Sequence, residues 1–163
     1  MSGTVVLVRW IVQWAALEDM QDFASRYCKR RFAGDLGDRA RIVSHELLEN
    51  AVRFATVGDD LEYEIRDRPS GFEIRVTNDA VDSRIAILRK RIIEMREGDA
   101  DDAYRKALRK LLSDASDAKV ANAGIGLLRA RYEASVDFNV AVTGRSVTVI
   151  ATANSNRSSL GRG

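Results

Sequence analysis

The chain has few of the residues that staple small folds. It has one cysteine, Cys28, so no disulfide can close within it. That usage fits a reducing cytoplasm. One histidine, His45, beside one cysteine leaves too few ligands for a Cys/His zinc site. The one proline, Pro69, and the lack of any low-complexity stretch leave no linker to divide the chain. No run approaches the roughly 20 apolar residues of a membrane span. The apolar start, TVVLVRWIVQWAALEDM, is interrupted by Arg9 and lacks a basic lead-in, so it reads as strand or helix and not as a signal peptide. Charge of one sign is also scarce: the net charge is +2, which by itself gives no argument for nucleic acid.

What is present is ordinary for one globular domain. The 163 residues are 45% hydrophobic and 31% charged, enough for a sizeable core. A single domain is expected over 1–153, with a polar, glycine-containing tail at 154–163 read as flexible.

Apolar spacing gives the elements. A short edge strand is expected at 5–8 and a helix at 10–31, making 1–33 an N-terminal strand and helix. A turn at 34–37 offers an acidic residue for capping, and a second helix follows at 38–55. Leu61, Tyr63 and Ile65 alternate, as do Phe72, Ile74 and Val76. With Arg68-Pro69-Ser70-Gly71 between them they read as a hairpin. A charged helical stretch covers 82–112, broken near EGDADD at 97–102. A glycine loop then opens a helix at 122–135, and strands at 136–142 and 146–153 close the chain. The fold class is an α/β (α+β) two-layer sandwich, with a mixed, mostly antiparallel sheet and helices on one face.

The segment RIVSHELLENAVRFA, 41–55, carries the chemistry. Leu36, Ala40, Val43, Leu47, Ala51 and Phe54 share one helical face, which should be core. At about 100° per residue, Asn50 falls near +40° from Glu46 and Arg53 near −20°. A carboxylate, an amide and a guanidinium therefore share a narrow wedge at the core boundary, where each needs a polar partner. One reading turns the wedge to a nucleotide: Glu46 polarises an attacking hydroxyl, Asn50 gives Mg²⁺ an oxygen, and Arg53 meets phosphate. The other is an amphipathic helix with an exposed, ion-paired face. His45-Glu46 lacks the second histidine of a zinc-protease helix, because Glu49 holds that position, so His45 reads as a structural residue.

Further on, NAGIGLLRAR at 122–131 places Gly124 and Gly126 ahead of an apolar helix. Small residues there let backbone amides approach phosphate at a helix N-terminus, or simply let helices pack closely.

Together, the Glu46/Asn50 helix, the hairpin ending in VTND, the helical insert and the GIGL loop resemble the GHKL (Bergerat-fold) superfamily of ATPases and kinases. The resemblance covers roughly 35–153. It implies ATP and Mg²⁺ as cofactors and Glu46 as the catalytic residue. It also implies nucleotide contacts from Asn50, Arg53, Asn78, Asp79, Gly124, Ile125, Gly126 and Leu127, with Asn50 as the Mg²⁺ ligand. The insert at 82–121 corresponds to the ATP lid. No phospho-accepting histidine precedes the helix, so the chain looks like the stand-alone serine/threonine kinases of bacterial partner switching, the anti-sigma-factor and SiaB-like type. The implied partner is a STAS-domain, anti-anti-sigma-like protein.

The family's adenine-binding strand end reads DxGxG. Here Asn78 stands at the Asp and Ala80 at a Gly, so the bond to adenine loses its charge. A degenerate member that binds a partner without phosphotransfer is therefore the alternative. Arg129, one turn past the glycines, serves either phosphate or a surface ion pair. The basic insert (Arg84, Arg89, Lys90, Arg91, Arg96) is diluted by Glu94, Glu97 and Asp99, so a solvated lid is preferred to a nucleic-acid surface. Val5, Val6, Leu7, Val8, Trp10, Ile11 and Trp14 either cap the core or pair in a homodimer.

Overall fold

The computed structural model describes residues 3–113 and 118–154, with side chains described for 3–109 and 125–154. The expected tail lies outside the described residues beyond Asn154, and so do residues 114–117 of the expected insert.

Strand β1 (Thr4–Ile11) opens the chain. It is longer than the spacing predicts, and the helix expected from residue 10 starts later. Val6, Val8 and Trp10 alternate with Leu7, Arg9 and Ile11, and β-branched and aromatic residues favour that pleat. A short 3-10 turn at Trp14–Ala16 then leads into α1 (Leu17–Arg31). Glu18 and Asp19 in its first turn and Lys29, Arg30 and Arg31 in its last suit the helix dipole.

Helix α2 (Asp35–Phe54) starts earlier than expected, straight after Gly34, whose φ of 57° turns the chain. No side chain caps it; Asp35 and Asp38 act instead as charges in the first turn.

The hairpin β2 (Asp60–Arg68) and β3 (Gly71–Asp79) follows as expected. Helices α3 (Asp82–Arg96) and α4 (Ala100–Ser113) divide where EGDADD predicts. Then come α5 (Ala118–Ala134), β4 (Asp137–Thr143) and β5 (Ser146–Asn154).

The strands form one sheet in the order β1-β2-β3-β5-β4. All four pairings are antiparallel, so no parallel pair makes the sheet mixed. One face is core: Tyr63, Ile65, Phe72, Ile74, Val76, Val149 and Ala151 are buried against Leu47, Leu48 and Ala51 of α2 and Leu127 and Ala130 of α5. The chain is thus a two-layer α/β sandwich. The opposite face is laced by ion pairs, including Arg9–Glu62 at 2.9 Å and Arg75–Glu73 at 2.5 Å. Among the described residues no helix is long and apolar enough to cross a membrane.

Arg39 ties the layers together at one end. It is buried on α2, and its Nε donates to the carbonyl of Ala134, the last residue of α5, at 2.7 Å. Its Nη2 reaches the carbonyls of Ser135 at 3.3 Å and Asn154 at 3.4 Å. Ser135 itself has φ of 49°, the left-handed conformation that ends a helix and that favours glycine. Ser135→Gly should therefore raise stability by about 1 kcal/mol, measured by urea denaturation.

Candidate functional site

Of the wedge on α2, Asn50 lines a cleft, whereas Glu46 and Arg53 lie outside its lining. Leu47, Asn50, Ala51 and Phe54 of α2 form one wall, and Val76, Asn78, Val147 and Val149 of the sheet form the floor. Ala80, just before α3, and Leu88 of α3 close one side, and Leu127 of α5 the other. The lining is apolar apart from two amides, Asn50 and Asn78. The innermost free space is about 20 Å³, room for about one water.

Strand alternation explains why Asn78 and not Asp79 faces this cleft. Asn78 pairs with Val147, shares the inward face with Val76, and is 8% exposed. Asp79 pairs with Ser146 on the other face and is exposed. The Asn78 Nδ2 donates to the Asp79 carbonyl at 3.0 Å, which leaves Oδ1 as the group it can offer a ligand.

Asn50 is the most conspicuous group. Its Nδ2 is buried without a hydrogen-bond partner. A buried unpartnered amide costs about 1–3 kcal/mol, so this side chain is short of a polar neighbour. Turning the amide over presents its oxygen at the same place.

Glu46 sits one turn earlier, with its side chain 16% exposed. Burial pushes its carboxyl above the ordinary range, and the charge of Glu49 adds to this. Arg129, with Nη1 3.6 Å from Glu46 Oε1, acts against it. Arg129 is also held by Glu133 at 3.1 Å. A partly buried carboxylate with a raised pKa is a group suited to taking a proton.

Arg53 turns back to its own helix, donating from Nη2 to Glu49 at 2.6 Å, while its Nε is buried without a partner. His45 points to α1, with Nε2 2.6 Å from Ser25 Oγ, away from the cleft lining. Burial, then Arg41, lowers its pKa, so the ring is neutral at pH 7 and joins two helices.

The glycines are where expectation and structure part. No loop opens a helix at residue 122: α5 already runs from Ala118 through Gly124, Ile125 and Gly126. Alanines and long aliphatic residues around the glycines carry the helix across them. The amides of Gly124 and Gly126 are therefore within helix hydrogen bonding and do not form a phosphate cradle. Gly126 has another use. A Cβ built on it would stand 2.1 Å from Glu46 Oε2, so the glycine leaves room for the Glu46 carboxylate in its present rotamer.

Sequence reasoning missed Leu47, Ala51, Phe54, Ala80, Leu88, Val147 and Val149 as lining. The inward alternation of β5 could have found the two valines; Leu88 carries no signal that separates lining from core. No protein-family model and no curated protein sequence matches the chain.

Proposed function

We propose that the cleft binds Mg·ATP in the GHKL manner. The chain would then act as a cytoplasmic serine/threonine kinase on a STAS-type partner. The unpartnered buried amide of Asn50, at the mouth of an apolar cleft and one turn from a proton-accepting Glu46, carries this reading. The base end fits. Leu47, Ala51, Val76, Leu127 and Val149 make an apolar slot for a flat ring, and Asn78 Oδ1 accepts its amino hydrogen.

The metal end also fits, with Asn50 as one oxygen ligand. Among the described residues no group of three or more His, Cys, Asp and Glu is arranged to hold an ion. Phosphate oxygens and water supply the other ligands, as Mg²⁺ commonly requires. When bound, Mg²⁺ supplies neutralisation of phosphate charge. Glu46 would be the group to accept the proton of an acceptor hydroxyl.

The phosphate end does not fit while α5 is helical through Gly126. That observation favours the second reading, a regulatory module that binds a partner without phosphotransfer.

Thermal shift with Mg·ATP separates the two. Stabilisation of the parent chain that is lost in Asn50→Ala is the expected result. A tenfold loss of affinity corresponds to about 1.4 kcal/mol. No shift at millimolar Mg·ATP would leave only the regulatory reading.

A further inference from the structure

The two edges of the sheet are protected unequally. At one edge, Val140 and Val142 of β4 share an apolar cluster with Ile85 and Leu88 of α3. The Asn139 side chain there also accepts the Val140 N–H, at 2.9 Å. Strand β1, at the other edge, has no such cover among the described residues. Just past it, the N–H and carbonyl of Val12 both bond toward the β2 side, to Asp59 at 2.8 Å and Gly58 at 3.0 Å. Backbone groups alternate in direction along an antiparallel strand, so those of Leu7, Arg9 and Ile11 point out from the free edge. Leu7 is 51% and Ile11 58% exposed. The one charged residue of the strand, Arg9, turns to Glu62 on β2. No proline interrupts β1, and its register shift lies at the start, between Thr4 and Val6. An apolar edge with free donors and acceptors is a template for another strand.

Helix α1 runs back beside this edge. Phe23 meets Trp10 with ring centroids 5.8 Å apart, and the Tyr27 hydroxyl donates to the Val5 carbonyl at 3.2 Å. The helix is therefore antiparallel to β1, and the point of α1 level with Leu7 and Val8 lies near Ser25. Its exposed side is ordered by charge. Glu18, Asp19 and Asp22 occupy the first half, and Arg26, Lys29 and Arg30 the second. Among the described residues none of these is engaged in an ion pair. Phe23, on the flank toward β1, is 37% exposed.

We infer that two copies of this chain pair through β1, antiparallel about a two-fold axis passing near Leu7 and Val8, so that their five-stranded sheets run on as one. The axis avoids Arg9, because an axis there would set two arginines directly opposite each other. One axis serves both layers. It also lays α1 antiparallel beside its copy, with Asp19 of one level with Arg30 of the other and Asp22 level with Lys29. A helix that is acidic at its start and basic at its end complements itself only in that reversed order. This is why the occupant is a second copy and not an unrelated strand. The pairing satisfies the free backbone groups of β1 and covers Leu7, Ile11 and Phe23. It is independent of the nucleotide reading, since Asn50, Asn78 and the rest of the cleft lining lie on other elements.

Sedimentation equilibrium on the full chain tests the pairing. The parent should sediment at twice the 18.1 kDa of one chain. Leu7→Lys should raise the dissociation constant at least about tenfold, because it sets two like charges beside the axis. The half-exposed position, with Glu64 opposite it on β2, lets the single chain keep its fold, which far-UV circular dichroism checks. Asp19→Arg and Arg30→Asp should each weaken the dimer by about three- to tenfold. The two together exchange the charges across the axis and should restore the parent affinity to within about twofold. A parent chain that stays monomeric at its solubility limit overturns the pairing. So does a dimer that Leu7→Lys leaves unchanged, since its contact then lies on another face. A double charge exchange weaker than either single variant overturns the two-fold alignment of α1 and the pairing with it. Restoration by the double exchange supports it even if Leu7→Lys does not fold.

Discussion

Glu46→Gln should melt higher than the parent chain near neutral pH and, on the kinase reading proposed above, lose phosphoryl transfer by about 100-fold or more. The two effects share one cause. Burial, Glu49 and Glu133 all raise the Glu46 pKa, and Arg129 and Arg53 only partly oppose them. A raised folded pKa means that the fold prefers the protonated carboxyl. The stabilisation this gives is complete below the ordinary carboxylate value and is lost as pH rises through the folded value. At neutral pH the ionised Glu46 is therefore a burden on the fold. Glutamine keeps the shape and removes the charge. The gain in Tm should accordingly shrink as the pH is lowered toward the carboxylate range. The acid limb of the transfer rate should lie above the position of an exposed glutamate. Parallel melting and phosphotransfer series against pH check both. Loss of transfer with a lower Tm at neutral pH would show that Glu46 stabilises through Arg129 instead.

Arg39→Ala should lower stability by about 3 kcal/mol, which for a chain of this size is a fall in Tm of about 9 °C. Arg39 is 5% exposed, and its guanidinium donates to the carbonyls of Ala134, Ser135 and Asn154, with the shortest bond at 2.7 Å to Ala134. Alanine leaves the carbonyl of buried Ala134 without this donor, and the C-terminus of α5 loses its compensating charge. Lysine should recover little of this, because one ammonium cannot reproduce a planar fork spread over Ala134, Ser135 and Asn154. Calorimetry on the two variants is sufficient, and an Arg39→Lys melting point equal to the parent's would refute the geometric argument.

The hairpins and the wedge were legible because their signals are periodic. Leu61, Tyr63 and Ile65 announce a half-buried strand, and Glu46 and Asn50 share a helical face in any helix that contains them. The boundary between β1 and α1 was not legible. Trp10, Ile11, Ala15 and Leu17 satisfy a helical spacing locally, and only pairing with Leu61 and Asp60 shows that the first two belong to a strand. The glycines misled for a different reason. Low helix propensity at Gly124 and Gly126 argues for a loop, but α5 runs through both, and Gly126 lies beside Glu46, a residue eighty positions away. Arg39 gave no warning at all. An arginine on a charged helix looks solvated until the ends of α5 and β5 are brought to it.

The pairing of β1 sets an order on assembly. Ile11 finds its partner at Asp60 and Thr4 at Arg66, with all of α1 and α2 made in between. At about 5–20 residues per second, the ribosome emits β1 several seconds before β2 can receive it. During that interval Val6, Val8, Leu7 and Ile11 have only the α1–α2 pair to shelter against. A nascent chain stalled before residue 60 would therefore present an unpaired apolar strand, the kind of segment to which a ribosome-bound chaperone attaches.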